Sequence, residues 1–292
     1  MRGGAPVSKG HQDARASERP PAPDPLPLPV VDNHTHLDIA RDGGMPPDVA
    51  AALADAAAVG VDRVVQIGCD LAGARFTVDQ IDRHPQMLGG VAIHPNEAPR
   101  HAERGDLEQA WAQIEQLAAH PRVRVIGETG LDYFRTGPEG VAAQQDSFRW
   151  HIDLAKRTGK ALQIHDRDAH DDVMRILDEE GAPGATVMHC FSGDAELARR
   201  CVEKGYYLSF AGTVTFKNAR NLRDALAVTP LDRVLVETDA PYLTPSPHRG
   251  ATNAPYLVPL TVRAMAGVLT TDVPTLCRAL SDNSERIYGP WS

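Results

Sequence analysis

The sequence predicts an α/β fold, a TIM (β/α)8 barrel. Three observations carry that expectation. From Val30 onward, eight short apolar runs alternate with stretches of helical periodicity. The chain has 292 residues, a short surplus over the roughly 250 that such a barrel needs. Six of the apolar runs end on a residue type that ligates metals: VVDNHTH, MLGGVAIH, VRVIGE, ALQIH, ATVMH and RVLVETD. Parallel strands that all carry their polar residue at the C-terminal end converge on one barrel mouth, where such folds place their chemistry.

The elements follow in order. Residues 1–28 are rich in Pro, Gly and Ala with scattered charges, and are expected to form a disordered extension. Residues 29–292 are read as one barrel domain. Strands are expected near 30–34, 62–67, 87–93, 122–127, 161–164, 185–188, 205–208 and 233–237. They are short and apolar, as required when helices cover the sheet and side chains fill the barrel. Helices are expected at 47–59, 71–83, 104–119, 139–158, 168–180, 194–204 and 218–228, with two more at 254–268 and 272–286. Leu107, Trp111, Ile114 and Leu117 illustrate the spacing of one buried helical face.

Composition narrows the class. Hydrophobic residues at 42% and charged residues at 24% are those of a globular protein. No apolar run approaches the roughly 18 residues of a membrane span, and the N-terminus has no apolar signal core. Cys69, Cys190, Cys201 and Cys277 lie far apart without a C-x-x-C pair. This argues against a disulfide framework and fits a reducing cytoplasm. A net charge of −9 gives no electrostatic footprint for long nucleic acid. Bound divalent ions can still supply the local positive charge that a phosphate needs. A doubly wound nucleotide-binding sheet would want a glycine cradle after its first strand, where this chain has HTHLD.

The strand ends supply five histidines and two carboxylates, a set that reads as a metal site for two ions. His34 and His36 alternate along extended chain, so both imidazoles face one side. Asp32 and Asn33 could orient them. Glu128 can bridge two ions, one oxygen to each. A carboxylated lysine does this in some barrels, but the five lysines here (Lys9, Lys156, Lys160, Lys204 and Lys217) lie away from that strand. His165 and His189 end successive strands and fit a second ion. Asp239 can bind metal and accept a hydrogen bond from an attacking water; Glu237, two residues earlier on the same side and deeper in the barrel, is expected to play a supporting role. His94 reads better as a substrate or phosphate contact than as a ligand. Cys190 reads as a buried small residue. Arg135, Arg167, Lys217, His248 and Arg249 surround the mouth and favour an anionic substrate.

The stretches DNHTHLD, AIHPNEA, VIGETGLDYFR, QQDSFRWHIDLAKRTGKALQIHDRDA, MHCFSG, LSFAGTVTFKNA and VLVETDAPYLTPSPHRGATNAP together resemble the TatD family of metal-dependent deoxyribonucleases. The match runs in order over nearly everything from residue 31 to 256. The resemblance implies a TIM barrel with two divalent ions, Mg²⁺, Mn²⁺ or Zn²⁺. His34, His36, Glu128 and Asp239 would hold one ion, and Glu128, His165 and His189 the other. The implied activity is phosphodiester hydrolysis, with single-stranded DNA 3′ ends as substrate and a 3′-to-5′ exonuclease mode. Asp239 and Glu128 would be catalytic; His94, Arg249 and Lys217 would hold phosphate oxygens. Asn96 and Thr129 depart from common family residues at positions that are not ligands.

Two other functions use the same residues. A metal amidohydrolase or deacylase would direct the site at a carbonyl. A non-catalytic binding protein would keep the barrel but lack a ligand, and none is missing. No membrane association and no stable protein partner are expected.

Overall fold

The computed structural model describes residues 19–41 and 44–291. Eight strands appear in the expected order: β1 (Val30–Thr35), β2 (Val61–Gly68), β3 (Met87–Val91), β4 (Val123–Asp132), β5 (Ala161–Arg167), β6 (Thr186–Met188), β7 (Tyr207–Phe210) and β8 (Val234–Val236). All seven pairings are parallel between sequence neighbours. The ring is completed by a bridge between Thr35 and Ala240 and by hydrogen bonds from His36 N to Ala240 O (2.8 Å) and from Asp239 N to His34 O (3.0 Å). The fold is therefore a nearly closed TIM barrel.

The helices are α1 (Val49–Ala58), α2 (Leu71–Arg83), α3 (Ala98–Arg104), α4 (Leu107–Ala118), α5 (Val141–Thr158), α6 (His170–Glu180), α7 (Ala195–Glu203), α8 (Arg220–Val228), α9 (Val258–Leu269) and α10 (Val273–Tyr288). Aspartates cap several of them. Asp48, Asp70, Asp194 and Asp272 each accept a backbone N–H of the first turn. The sequence pattern does not predict the short α3. Its seven residues carry only two buried side chains, Ala98 and His101, too few to show a period.

Two apolar layers hold the barrel. One lies between sheet and helices. The other fills the ring with Val31, Val65, Ile67, Leu88, Val125 and Leu235, and rests on Ile287, Tyr288 and Trp291 from the C-terminal segment. Within the described residues, no helix is long and apolar enough to cross a membrane.

Residues 19–28 correct the expected extension, while residues 1–18 lie outside the described residues. Leu26 is buried in the core and its N–H bonds Val59 O at 2.9 Å. Pro20 O accepts from Tyr256 Oη at 2.6 Å, and Arg263 reaches Asp24 O and Pro25 O. A Pro-rich segment cannot build its own core, but it can lie extended on one that already exists.

His151 is fully buried on α5. Its Nδ1–H donates to Ser147 O (2.7 Å) and its Nε2 accepts Ile93 N–H (3.1 Å), which is the neutral tautomer. Burial pushes its pKa down to about 4. Between the unfolded value near 6.5 and about 4, the unfolded chain binds the proton and the folded one does not. Stability from this site is complete above pH 6.5 and is lost as pH falls to about 4. His151→Gln is expected to flatten the pH dependence of urea unfolding in that window by up to about 1 kcal/mol per pH unit. Parallel slopes for the two proteins would refute this reading.

Candidate metal centre

Two irregularities in the sheet put ligand-type residues at the mouth. Between β1 and β2, register runs Asp32↔Val64 then Thr35↔Gln66, so two residues, Asn33 and His34, oppose the single Val65. Between β4 and β5 it runs Ile126↔Leu162 then Thr129↔Ile164, with the same surplus around Glu128. A bulge of this kind re-aims a side chain. Glycines allow the close strand approach beside Glu128. A Cβ on Gly130, at φ +136°, would stand 2.1 Å from His165 O, and one on Gly127 would stand 2.7 Å from Gln163 Cβ.

The two oxygens of Glu128 face different imidazole sets. Oε2 lies 3.4 Å from His34 Nε2 and 3.8 Å from His36 Nε2. Oε1 lies 2.6 Å from His165 Nδ1, 3.1 Å from His189 Nε2 and 3.3 Å from His94 Nε2. Asp239 Oδ1 joins the first set, 3.3 Å from His36 Nε2. All six residues proposed as ligands from the sequence, and His94 with them, thus meet in one cluster.

Hydrogen-bond partners assign the tautomers. His34 Nδ1–H donates to Gln163 Oε1 (2.7 Å), and His36 Nδ1–H donates to Ile67 O (2.9 Å). His189 Nδ1–H donates to Glu237 Oε1 (3.0 Å), and His165 Nε2–H to Asp132 Oδ2 (3.2 Å). Each of these four rings therefore turns its other nitrogen into the cluster, where it can hold a proton against the carboxylates or give a lone pair to a metal that displaces that proton. His34 Nε2 and His36 Nε2 face each other at 3.3 Å, and against burial Asp239 beside them raises the His36 pKa well above its ordinary value. Imidazole nitrogens and carboxylates that converge on one point offer a cation a mixed nitrogen and oxygen donor set, so the residues present fit divalent metal. His34, His36 and Asp239 form one such group, and His34, His189 and Glu237 another.

His94 differs from the others. Its Nδ1 accepts Asn96 N–H at 3.0 Å, which leaves a proton on the Nε2 that faces the cluster. This ring offers a donor, not a ligand lone pair. The departure at Asn96 has a structural use, because Asn96 Nδ2 also holds Asp132 Oδ2 at 3.0 Å.

Burial and charge set the protonation states. Burial lowers the pKa of His34 and His94, which keeps both rings neutral. Burial opposes the charge on His165 as well, but its hydrogen bonds to Asp132 and Glu128 prevail and raise it to about 9. Burial would raise Glu128, yet the imidazoles of His189 and His94 and the bond from His165 hold it well below the usual carboxylate range. Asp239 is likewise kept low against burial, chiefly by its bond with His36.

Asp239 adopts φ 54°, a left-handed conformation that Asp tolerates better than most residues. Its carbonyl accepts Tyr242 N–H at 2.9 Å. With the bond from Asp239 N to His34 O, this fixes the turn that brings its carboxylate over the mouth.

Several supporting residues escaped the sequence reading. Gln163 orients His34, and its Nε2 donates to Asn33 O and Tyr288 Oη, both at 2.8 Å. Asn33 thus acts on His34 through Gln163. Asp32 instead grips Thr238, accepting its N–H at 2.9 Å and its hydroxyl at 2.5 Å; burial raises the Asp32 pKa to about 7. The Cys69 thiol donates to Glu128 Oε2 at 3.4 Å. Cys190 is half-buried, and burial raises its thiol well above the ordinary value. Among the rim residues, Arg249 stacks on Phe216 (4.0 Å), Arg167 stacks on Phe134 (3.9 Å), and Lys217 is exposed on the loop after β7. Arg135 is exposed beside Phe134, and its N–H bonds Asp132 Oδ1 (2.9 Å); His248 N bonds Pro245 O (2.9 Å).

Comparisons agree with this geometry. The family described as TatD related DNase matches residues 31–289. The metal-dependent hydrolase TatD of Mycobacterium tuberculosis is 45% identical over 267 residues, covering 89% of this chain and 98% of that one. The metal-dependent hydrolase YcfH of Escherichia coli K12 is 38% identical over 260 residues, covering 89% of this chain and 95% of that one. The crystal structure of the TatD homologue YJJV from Escherichia coli superposes with a TM-score of 0.82 at 25% identity, covering 89% of this chain and 98% of that one. The chain belongs to the TatD-related DNase family of metal-dependent hydrolases.

Proposed function

We propose that this protein is a deoxyribonuclease that releases nucleotides from the 3′ end of single-stranded DNA, using two divalent ions. The division of Glu128 between two imidazole sets carries the reading. His34, His36, Glu128 Oε2 and Asp239 would hold one ion; Glu128 Oε1, His165 and His189 would hold the other. Such ions lower the pKa of bound water and stabilise charge on a phosphate. Mg²⁺, Mn²⁺ and Zn²⁺ all suit a mixed imidazole and carboxylate set.

The chain's own groups supply the remaining chemistry. Asp239 is held deprotonated, so it accepts the proton of the attacking water at Oδ1. His94 Nε2–H points into the cluster and donates to a non-bridging oxygen as charge develops there. Arg249 and Lys217, on the loops after β8 and β7, hold the flanking phosphates. Glu237 and Gln163 keep His189 and His34 in their ligating tautomers. The 3′-to-5′ direction and the preference for DNA rest on the family resemblance.

The test is degradation of 3′-labelled and 5′-labelled single-stranded DNA by metal-free protein supplied in turn with Mg²⁺, Mn²⁺ and Zn²⁺. Metal-dependent release from the 3′ end is expected. Protein that binds two ions yet releases nothing with any of them would overturn the nuclease reading and direct attention to amide and ester substrates.

A further inference from the structure

Three large hydrophobic side chains are exposed among the described residues: Met45 (90%), Phe134 (63%) and Tyr242 (44%). All three stand on loops that follow the C-terminal ends of strands, after β1, β4 and β8. Both aromatics accompany an arginine. The Arg167 guanidinium lies 3.9 Å over the Phe134 ring. Arg249 lies 4.0 Å over Phe216, and both line a cavity of about 270 Å³ together with Tyr242, Arg41 and Thr244.

The topology places these groups on opposite sides of the metal centre. Phe134 and Arg167 follow β4 and end β5, two residues beyond Asp132 and His165. Asp132 and Arg167 are register partners, and Asp132 hydrogen-bonds His165. Tyr242 and Arg249 follow β8, with Tyr242 N–H bonded to Asp239 O at 2.9 Å. In a ring ordered β1 to β8 and closed between β1 and β8, β4 and β5 lie across the mouth from that closure. A ligand spanning the metal centre therefore meets an aromatic face and a guanidinium on each side.

We propose that these two aromatic–arginine groups are base-stacking subsites for a single-stranded polynucleotide, one on either side of the scissile phosphate. The proposal rests on the nuclease reading and extends it to how the substrate is held. Every nucleobase has a π-face, so stacking holds a strand without reading its sequence, while arginine neutralises the adjoining phosphate. Paired bases in a duplex cannot offer their faces, so the arrangement selects single strands. The cavity beside Tyr242 falls just below the roughly 300 Å³ at which drug-sized pockets begin, and so suits a fragment such as one base. In a protein of net charge −9, these arginines put positive charge where a polyanion must cross.

Binding of fluorescein-labelled hexathymidylate with cleavage-resistant phosphorothioate linkages tests this, using the full chain with Mg²⁺ and fluorescence anisotropy. Phe134→Ala and Tyr242→Ala are each expected to weaken binding roughly 5- to 100-fold. Both positions are exposed, so the fold is expected to persist, and circular dichroism checks that it does. A second probe replaces single thymidines with abasic tetrahydrofuran residues. If stacking is the cause, each variant loses its effect on the probe that lacks the base it would stack. Equal weakening on every abasic probe, or unchanged binding of hexathymidylate by both variants, overturns the stacking subsites. Unmodified hexathymidylate is cleaved in parallel. Cleavage with unchanged variant binding would leave the nuclease reading intact, whereas neither binding nor cleavage by the parent protein would overturn both.

Discussion

Asp239→Asn is expected to lower turnover on single-stranded DNA by roughly 10²- to 10⁴-fold, the range lost when a positioned general base is removed. The protein should remain folded. Asparagine has nearly the same shape and tolerates the left-handed backbone at φ 54° as aspartate does. The backbone bonds that hold the turn, from Asp239 N to His34 O and from Tyr242 N to Asp239 O, do not involve the side chain. The amide cannot take a proton from water, because its oxygen is far less basic than a carboxylate. It also removes the anion facing His36 Nε2 at 3.3 Å. Single-turnover rates, far-UV circular dichroism and metal content separate the possibilities. A slow, folded variant that keeps its metal identifies proton acceptance as the lost function. A slow variant that has lost metal identifies ligation instead. Near-normal rates would remove Asp239 from the mechanism.

The barrel was legible because its signals are local and repeated. Apolar runs such as Val61–Gly68 and Met87–Val91 need no distant partner to be read as strands. The ligand-type residues were legible because each terminates such a run, and parallel strands bring their ends together. The reading failed where position depends on a partner elsewhere in the chain. Gln163 lies inside an apolar strand, and its role exists only because β5 brings it within 2.7 Å of His34 Nδ1. Tyr288, at the end of α10, reaches Gln163 across 125 residues of sequence. Neither residue has a neighbouring motif to announce it. The bulges around His34 and Glu128 were equally hidden, since an extra residue is defined only against the opposing strand. Residues 19–28 misled in the other direction: their Pro-rich composition describes what the segment cannot do alone, and their order comes from Tyr256, Arg263 and Val59 beneath it.

The second large effect is expected at Glu128. Glu128→Gln should reduce tightly bound metal from two ions to at most one and lower activity at least as far as Asp239→Asn. A carboxylate presents acceptor oxygens to both imidazole sets at once. An amide presents one acceptor and one donor, so it can serve one set and must oppose the other. If its NH₂ faced His165 and His189, its hydrogens would stand in the directions a metal needs to reach those two rings. If the amide turned the other way, the same block would fall on His34 and His36. The substitution also removes the negative charge that lies 2.6 Å from His165 Nδ1 and 3.1 Å from His189 Nε2, in a site only 4% exposed. Breaking one side of a buried charge cluster typically costs about 3–5 kcal/mol, so thermal stability should fall in metal-free protein as well. Metal content after dialysis, read by mass spectrometry, measures the stoichiometry directly. A variant that kept two ions at unchanged affinity would show that Glu128 does not bridge. The two ions would then have to be held by the groups around Asp239 and Glu237 alone.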